Sequence, residues 1–122
     1  MTVGMAILPP PEEDPLRTID GTIRTTTFYP LEGSFQYSET EDGGVHIDIA
    51  ADYIADNRLP GLYIYLSNNP NSIFNALEIE EVTTFSGAHE YTVPEVGFED
   101  YNFIVYFCKP FNVKVGDAAL NF

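Results

Sequence analysis

Residues 39–50 read ETEDGGVHIDIA, and this stretch contains both a turn signal and a strand pattern. The Asp-Gly pair at 42–43 is a strong marker of a tight β-hairpin turn. After the turn, Val45, Ile47 and Ile49 alternate with polar or small residues. In a strand this period of two buries one set of side chains and leaves the other in water. The stretch therefore predicts a β-hairpin that leads into a half-buried strand.

The same alternation recurs at 62–66, 89–93 and 111–115. Segment 102–108, NFIVYFC, is apolar at almost every position, which is typical of a central strand covered on both faces. About eight short strands with turns between them predict an all-β fold, an antiparallel β-sandwich of jelly-roll type.

Two further local predictions concern the strands around these segments. The Thr-rich run Thr22–Tyr29 has the β-branched content of a strand, and Pro30 ends it or marks a bend. Residues 77–84 and 89–93 flank a Ser-Gly turn at 86–87, and this arrangement predicts a second hairpin.

The length and composition of the chain indicate one folded domain. The chain has 122 residues, of which 44% are hydrophobic, with 8 Tyr and 9 Phe. A domain of this size buries enough surface to fold without disulfides. Residues 1–15 contain four prolines and three acidic residues, a composition that favours an extended tether. We therefore expect a proline-rich tether at 1–15 and a single β domain at 16–122.

The charge of the chain excludes several classes of partner. Its 19 acidic and 5 basic residues give a net charge of −14, which repels nucleic-acid phosphates and anionic lipids. No membrane span is expected, because no apolar run approaches the roughly 20 residues that a membrane helix needs. Residues 1–11 have no Lys or Arg, unlike a secretory signal, so either the protein is cytosolic or a leader was removed.

The C-terminal segment carries a pattern found in a known family. Tyr101 is followed by an aromatic-Cys pair, Phe107-Cys108, and then by Lys109, Phe111 and Gly116. With Val113, Ala118 and Leu120 this spacing resembles the end of the DM-thirteen domain family. Looser similarities extend the resemblance over about 33–120, and the last twenty residues carry most of its specificity. The chain departs from the family pattern at Phe107, where tryptophan is usual, and at Val115, where phenylalanine is frequent.

The resemblance implies a function centred on Cys108. DM-thirteen domains are regarded as β-sandwich electron-transfer accessories, often beside DOMON cytochrome domains or on extracytoplasmic proteins. For this chain it implies an extracytoplasmic redox module with a redox protein or cytochrome as partner, and it names no cofactor.

A redox role for Cys108 has a physical requirement and a structural alternative. A reactive thiol needs exposure and a nearby positive charge or donor. Lys109 is adjacent in sequence, but adjacent strand residues point to opposite faces. In the structural alternative, a lone cysteine in an apolar strand is simply a small buried core residue. One thiol also cannot cycle between dithiol and disulfide by itself, so redox work needs a second protein or a cofactor.

Catalysis and metal binding have little support in the sequence. No nucleophile elbow, phosphate loop or paired Cys/His motif is present, so we predict neither an autonomous enzyme nor a metal site. His46 and His89 would join Cys108 in a copper or zinc site only if the fold brought them together, and the sequence gives no sign of this.

The alternative function is a noncatalytic module that binds protein or glycan and contains a purely structural cysteine. Tyr63 and Tyr65 share one face of a strand, and exposed aromatic rings can stack on sugars or anchor an interface. The absence of Trp weakens the sugar version. A third possibility is a structural domain attached through residues 1–15.

Overall fold

A computed structural model describes residues 16–122 of the chain. The tether predicted for 1–15 lies outside the described residues. Within 16–122 the regular structure consists of nine strands: β1 (Thr18–Thr25), β2 (Leu31–Glu39), β3 (Val45–Ile49), β4 (Ile54–Ala55), β5 (Leu62–Ser67), β6 (Leu77–Glu81), β7 (His89–Val93), β8 (Phe103–Cys108) and β9 (Val113–Ala119). This described part has no helix of the length and apolarity that crossing a membrane requires.

All the strand pairs are antiparallel, and the order across the sheet is β6-β5-β8-β9-β1-β2-β3-β7, with β4 beside β2. The sheet curls until it is nearly closed, and the apolar core lies inside it. The segment 82–88, which connects the two edge strands, is tied to the segment before β5. Ala55 N–H donates to the Phe85 carbonyl oxygen (2.8 Å), and Gly87 N–H donates to that of Tyr53 (3.0 Å). The all-β, sandwich-like fold class predicted from the sequence is confirmed.

The two strongest local predictions are also confirmed. Strands β2 and β3 form the predicted hairpin, and Gly43 adopts a φ of 86° in its turn. On β3, Val45, Ile47 and Ile49 are buried. Strand β8 is covered on both faces, because the consecutive residues 104–106 are all fully buried.

The predicted second hairpin is wrong. Strand β6 pairs with β5 and β7 pairs with β3, so the two strands occupy opposite edges of the sheet. The segment between them carries the chain across, and Ser86 bridges to Ile54 on the way. Two strands adjacent in sequence therefore separate, because 82–88 finds hydrogen-bond partners near β4 instead of folding back on β6.

The two halves of the sheet meet at a short seam between β1 and β9. Only two residue pairs define it: Arg24 with Asp117, and Thr25 with Gly116. A Cβ at Gly116 would lie 2.5 Å from Leu31 Cδ2 and would also collide with the Arg24 carbonyl oxygen. The absence of a side chain at 116 therefore lets β9 approach β1 closely enough to join the halves.

Replacing Gly116 tests this constraint. We expect Gly116→Ala to lower the free energy of unfolding by about 1–3 kcal/mol, because overpacking at a closely packed site forces the backbones apart. Urea unfolding followed by circular dichroism measures the change. The control is Ala119→Val, which adds bulk at an exposed position of β9 and should change stability by less than about 0.5 kcal/mol. Equal effects of the two variants on stability would show that the contact at Gly116 does not limit how closely β9 approaches β1.

Candidate functional site

Cys108, the predicted redox residue, ends β8 inside the sheet. It pairs with Leu62 on one side and Val113 on the other, and it is fully buried. Its thiol donates a hydrogen bond to the carbonyl oxygen of Pro60, with Sγ and O 3.2 Å apart. The sulfur therefore lacks the exposure that a reactive thiolate requires.

Lys109 lies on the outer side of the sheet, away from the Cys108 thiol. Its ammonium stands 3.9 Å from the centre of the Tyr63 ring and forms a salt bridge with Glu78. The expectation that adjacent strand residues point to opposite faces is met here, so the Lys109 charge lies beside Glu78 and not beside the thiol.

The other residues of the C-terminal pattern have separate positions. Tyr101 packs against the core, Phe107 is half-buried beside Lys109, Gly116 forms the seam and Phe111 is exposed. They do not surround the sulfur as one site.

The predicted binding face at Tyr63 and Tyr65 is largely occupied by neighbouring side chains. Tyr65 is buried, and its hydroxyl donates to Glu78 Oε1 at 3.0 Å. Burial, and after it the hydrogen bond to Glu78, raise the pKa of Tyr65 to about 12. Tyr63 is partly exposed, but the Lys109 ammonium lies over its ring. Neither ring presents a free aromatic surface.

The structure does not bring the two histidines and the cysteine together. His89 packs edge-on against Tyr53 and Tyr91, with ring centroids 4.6 and 5.3 Å away. His46 lies on the outer face of β3, where its Nδ1 is 3.0 Å from Thr92 Oγ1. The sheet wall separates His46 from the buried Cys108 thiol.

The clearest exposed feature is an aromatic cluster formed by Phe28, Tyr29 and Phe111. The ring centroids of Phe28 and Tyr29 are 5.2 Å apart, and those of Tyr29 and Phe111 are 6.4 Å apart. Phe28 is 89% exposed and Phe111 50%. Single exposed apolar residues are ordinary on protein surfaces, whereas contiguous ones mark interaction sites.

Two loops that meet beside the seam hold the aromatic cluster. The loop 26–30 joins β1 to β2, and Thr26 N–H donates to the Val115 carbonyl oxygen on β9 (2.8 Å). Thr25 Oγ1 donates to the Tyr29 carbonyl oxygen (2.7 Å) and accepts the Thr27 N–H (3.2 Å). These bonds fix the backbone on both sides of Phe28.

The second loop is the turn 109–112 between β8 and β9. Asn112 adopts a φ of 51°, a conformation that asparagine tolerates better than most residues. Its N–H donates to the Lys109 carbonyl oxygen (3.0 Å) and closes the turn that presents Phe111.

An ion pair lies beside the aromatic cluster. The Asp56 N–H donates to the Pro30 carbonyl oxygen (2.9 Å), which brings residues 56–58 next to loop 26–30. Arg58 holds the buried Asp56 carboxylate through Nε and Nη2, at 2.9 and 2.6 Å. These hydrogen bonds lower the pKa of Asp56 to about 2. The Arg58 guanidinium itself is largely exposed. It lies close enough to Tyr29 for the two side chains to interact electrostatically.

Sequence reasoning missed the aromatic cluster because it placed Phe28 and Tyr29 on a strand that continued to Pro30. Strand β1 ends at Thr25. One signal was present: adjacent residues of a strand point to opposite faces, so Phe28 and Tyr29 could not both face the core. The approach of Phe111 depends on the β1–β9 pairing, for which the sequence carries no local signal.

Comparisons with protein-family models, curated proteins and solved structures find no match to this chain.

The state of Cys108 leads to a test of thiol reactivity. We expect the native thiol to react with Ellman's reagent on the order of 100-fold or more slowly than the urea-unfolded chain, because reaction requires local opening of the core. Stopped-flow absorbance measures both rates. Phe74→Cys in a Cys108→Ala background supplies the rate of an exposed thiol, since Phe74 is 73% exposed. A native Cys108 rate equal to that reference would restore the redox hypothesis.

The Asp56–Arg58 pair leads to a prediction on pH. Because the pKa of Asp56 is lowered to about 2 in the folded state, its stabilisation is complete above its unfolded pKa of about 3.9 and is lost as pH falls toward 2. We expect Arg58→Gln to raise the carboxyl midpoint and to reduce this contribution, because the side-chain hydrogen bonds are lost while the one from the backbone N–H of residue 58 remains. Carbon-13 NMR titration of the Asp56 carboxyl, with thermal unfolding at each pH, measures both effects. Arg17→Gln is the control, because Arg17 pairs with Glu39 and Glu99 instead. An unchanged midpoint in Arg58→Gln would contradict this assignment.

Proposed function

We propose that this chain is a noncatalytic binding module that recognises a protein partner through the aromatic cluster. The observation that carries the proposal is the contiguous arrangement of exposed Phe28 and Phe111 on two fixed loops, with half-buried Tyr29 close to both rings. Sandwich folds host many unrelated functions, so this proposal is made from the site and not from the fold.

The composition of the cluster fits the centre of a protein interface. Binding energy at interfaces concentrates in a few aromatic and arginine side chains surrounded by weaker contacts. Here the aromatic rings have Arg58 beside them, with its charge already balanced by Asp56. A partner surface can therefore cover the rings without burying an unpaired charge, which would be costly.

The cluster is also prepared for binding before a partner arrives. The hydrogen bonds of Thr25, Thr26 and Asn112 hold the loops that carry Phe28 and Phe111. Ordering a flexible loop on binding consumes part of the interaction energy, so loops fixed in advance retain more of it as affinity.

Charge favours a basic protein as the occupant. Each of the five cationic side chains forms an ion pair with an acid, which leaves most of the 19 carboxylates unbalanced. Such a surface attracts a basic partner over a distance and repels a second copy of a chain with a charge of −14. A glycan is a weaker candidate, since the cluster has phenylalanines and no Trp to stack on sugar rings.

The electron-transfer role and the extracytoplasmic location implied by the DM-thirteen resemblance stay predictions. The binding proposal uses neither. It needs Cys108 only as a core residue, in keeping with its burial and its hydrogen bond to Pro60.

Site-specific cross-linking tests the proposal. Benzoylphenylalanine is placed at position 28 in cells that produce the protein, and at position 74 as the matched control. Phe74 is also well exposed, but its loop follows the C-terminal end of β5, whereas the turn that carries Phe111 lies beside Gly61 at the opposite end of that strand. We expect position 28, and not 74, to capture one defined protein. Binding of that purified protein should weaken about 30-fold in Phe28→Ser, the equivalent of about 2 kcal/mol for a residue at an interface centre.

The remaining variants decide the outcome. Phe111→Ser should weaken binding in the same direction, while Phe74→Ser should leave it unchanged. Unfolding midpoints confirm that the exposed substitutions leave the fold intact. If Phe28→Ser and Phe111→Ser bind as the wild type does, the aromatic cluster is not the interface. If they instead abolish binding to an oligosaccharide on a glycan array, or convert a homodimer to a monomer, the proposed class of partner is wrong.

A further inference from the structure

The outer face of the β3–β7 ladder carries a second cluster of chemically active side chains, separate from the aromatic cluster. His46 and Asp48 lie two residues apart on β3, and Glu90 and Thr92 lie two apart on β7. Side chains two apart on a strand share a face, so all four project from the same side of the sheet. The intervening Ile47 and Tyr91 are buried in the core.

Three of these side chains are arranged as ligands around one point. The His46 Nε2 atom lies 3.6 Å from Asp48 Oδ1 and 3.8 Å from Glu90 Oε2, and one ligand atom from each residue lies within 4.8 Å of the others. Ligand atoms that share a tetrahedral zinc ion at about 2.0–2.2 Å are themselves roughly 3.3–3.6 Å apart. Small rotations of exposed side chains close the remaining difference. Among residues 16–122 no other group of His, Cys, Asp and Glu is this compact.

The register of the two strands provides an independent argument for a cation. Asp48 pairs directly with Glu90 across the ladder. Like charges directly opposite each other on neighbouring strands destabilise a sheet. The repulsion is relieved when a positive charge lies between the two carboxylates, at the position toward which His46 Nε2 points.

The orientation of the imidazole suits a metal ligand. His46 Nδ1 is 3.0 Å from Thr92 Oγ1, on the cross-strand neighbour of His46. With an ion bound, we assign the Nδ1 proton to this hydrogen bond, so that the Nε2 lone pair is free to bind the ion between the two carboxylates. A second hydrogen bond of this kind fixes the tautomer and ring orientation of histidines that bind metals.

We propose that His46, Asp48 and Glu90 form a binding site for zinc or a chemically similar divalent transition-metal ion. The imidazole selects against calcium and magnesium, which prefer sites made only of oxygen ligands. Three protein ligands leave at least one position for water. Because β7 is an edge strand, the bound ion joins the edge of the sheet to its neighbour β3.

The experiment uses the full chain without an affinity tag, titrated with Zn²⁺ in a calorimeter and with Co²⁺ by visible absorption. We expect one ion per chain and an unfolding temperature that rises with the Zn²⁺ concentration. The visible absorption spectrum should show that the bound Co²⁺ has a low coordination number. Long-range nitrogen NMR of the imidazoles should show Zn²⁺ shifting His46 Nε2 while His89, packed between Tyr53 and Tyr91, stays unchanged.

Variants separate this site from general attraction of cations to an acidic protein. His46→Gln and the double variant Asp48→Asn with Glu90→Gln should lose binding. Thr92→Val should weaken it by about 10–100-fold, the usual effect of removing a group that orients a ligand. The matched control is Glu41→Gln with Asp42→Asn, which also removes two negative charges, but at the β2–β3 turn, and should bind as the wild type does.

Three results would overturn the proposal. The first is Zn²⁺ binding that His46→Gln leaves unchanged. The second is equal weakening by the two double variants, which would show nonspecific attraction. The third is a His46 Nε2 that keeps its proton with millimolar Zn²⁺ present, which would show that a protonated imidazole alone relieves the repulsion between Asp48 and Glu90.

Discussion

Strand β9 approaches β1 closely because residue 116 has no side chain, and this contact joins the two halves of the sheet. Strands β6, β5, β8 and β9 form one half of the sheet, and β1, β2, β3 and β7 form the other. Two residue pairs join them, supported by the hydrogen bond from Thr26 to Val115. The loops 26–30 and 109–112 both lie next to this seam, so the contact that closes the fold also brings Phe28 and Tyr29 to Phe111.

Charged side chains around the seam form ion pairs. Asp117 is buried there and receives Arg24 Nε at 2.9 Å and Lys114 Nζ at 2.6 Å. Burial by itself would raise the pKa of Asp117, but the hydrogen bonds from Lys114 and Arg24 outweigh it and hold the pKa below its usual value. With all five cations paired to acids, the acidic excess falls on the remaining surface, including the outer face of β3 and β7. The proposed basic partner and the proposed metal ion would therefore both be attracted by this acidic excess.

The sequence predicted those parts of the fold that depend on local pattern. Alternation identified the buried face of β3, and continuous apolarity identified β8 as a strand covered on both sides. Pairing between distant strands was not predictable, because a strand edge offers the same backbone groups to any partner. The wrong hairpin between β6 and β7 arose in this way. The sequence alone predicted that His46 and Asp48 share one face of a strand. It could not predict that Glu90 joins them, because that depends on the β3–β7 register.

Three of the residues behind the DM-thirteen resemblance have identifiable structural roles. Cys108 fills the core under Pro60, Lys109 pairs with Glu78 on the outer face, and Gly116 permits the seam. In the β8–β9 hairpin a small buried residue is followed by a turn and then by a residue without a side chain, and this order suits the packing of the sheet at the seam. The same hairpin places Phe111 at its exposed turn, so the segment that contains Cys108 also supplies one of the three rings of the aromatic cluster proposed to bind a partner.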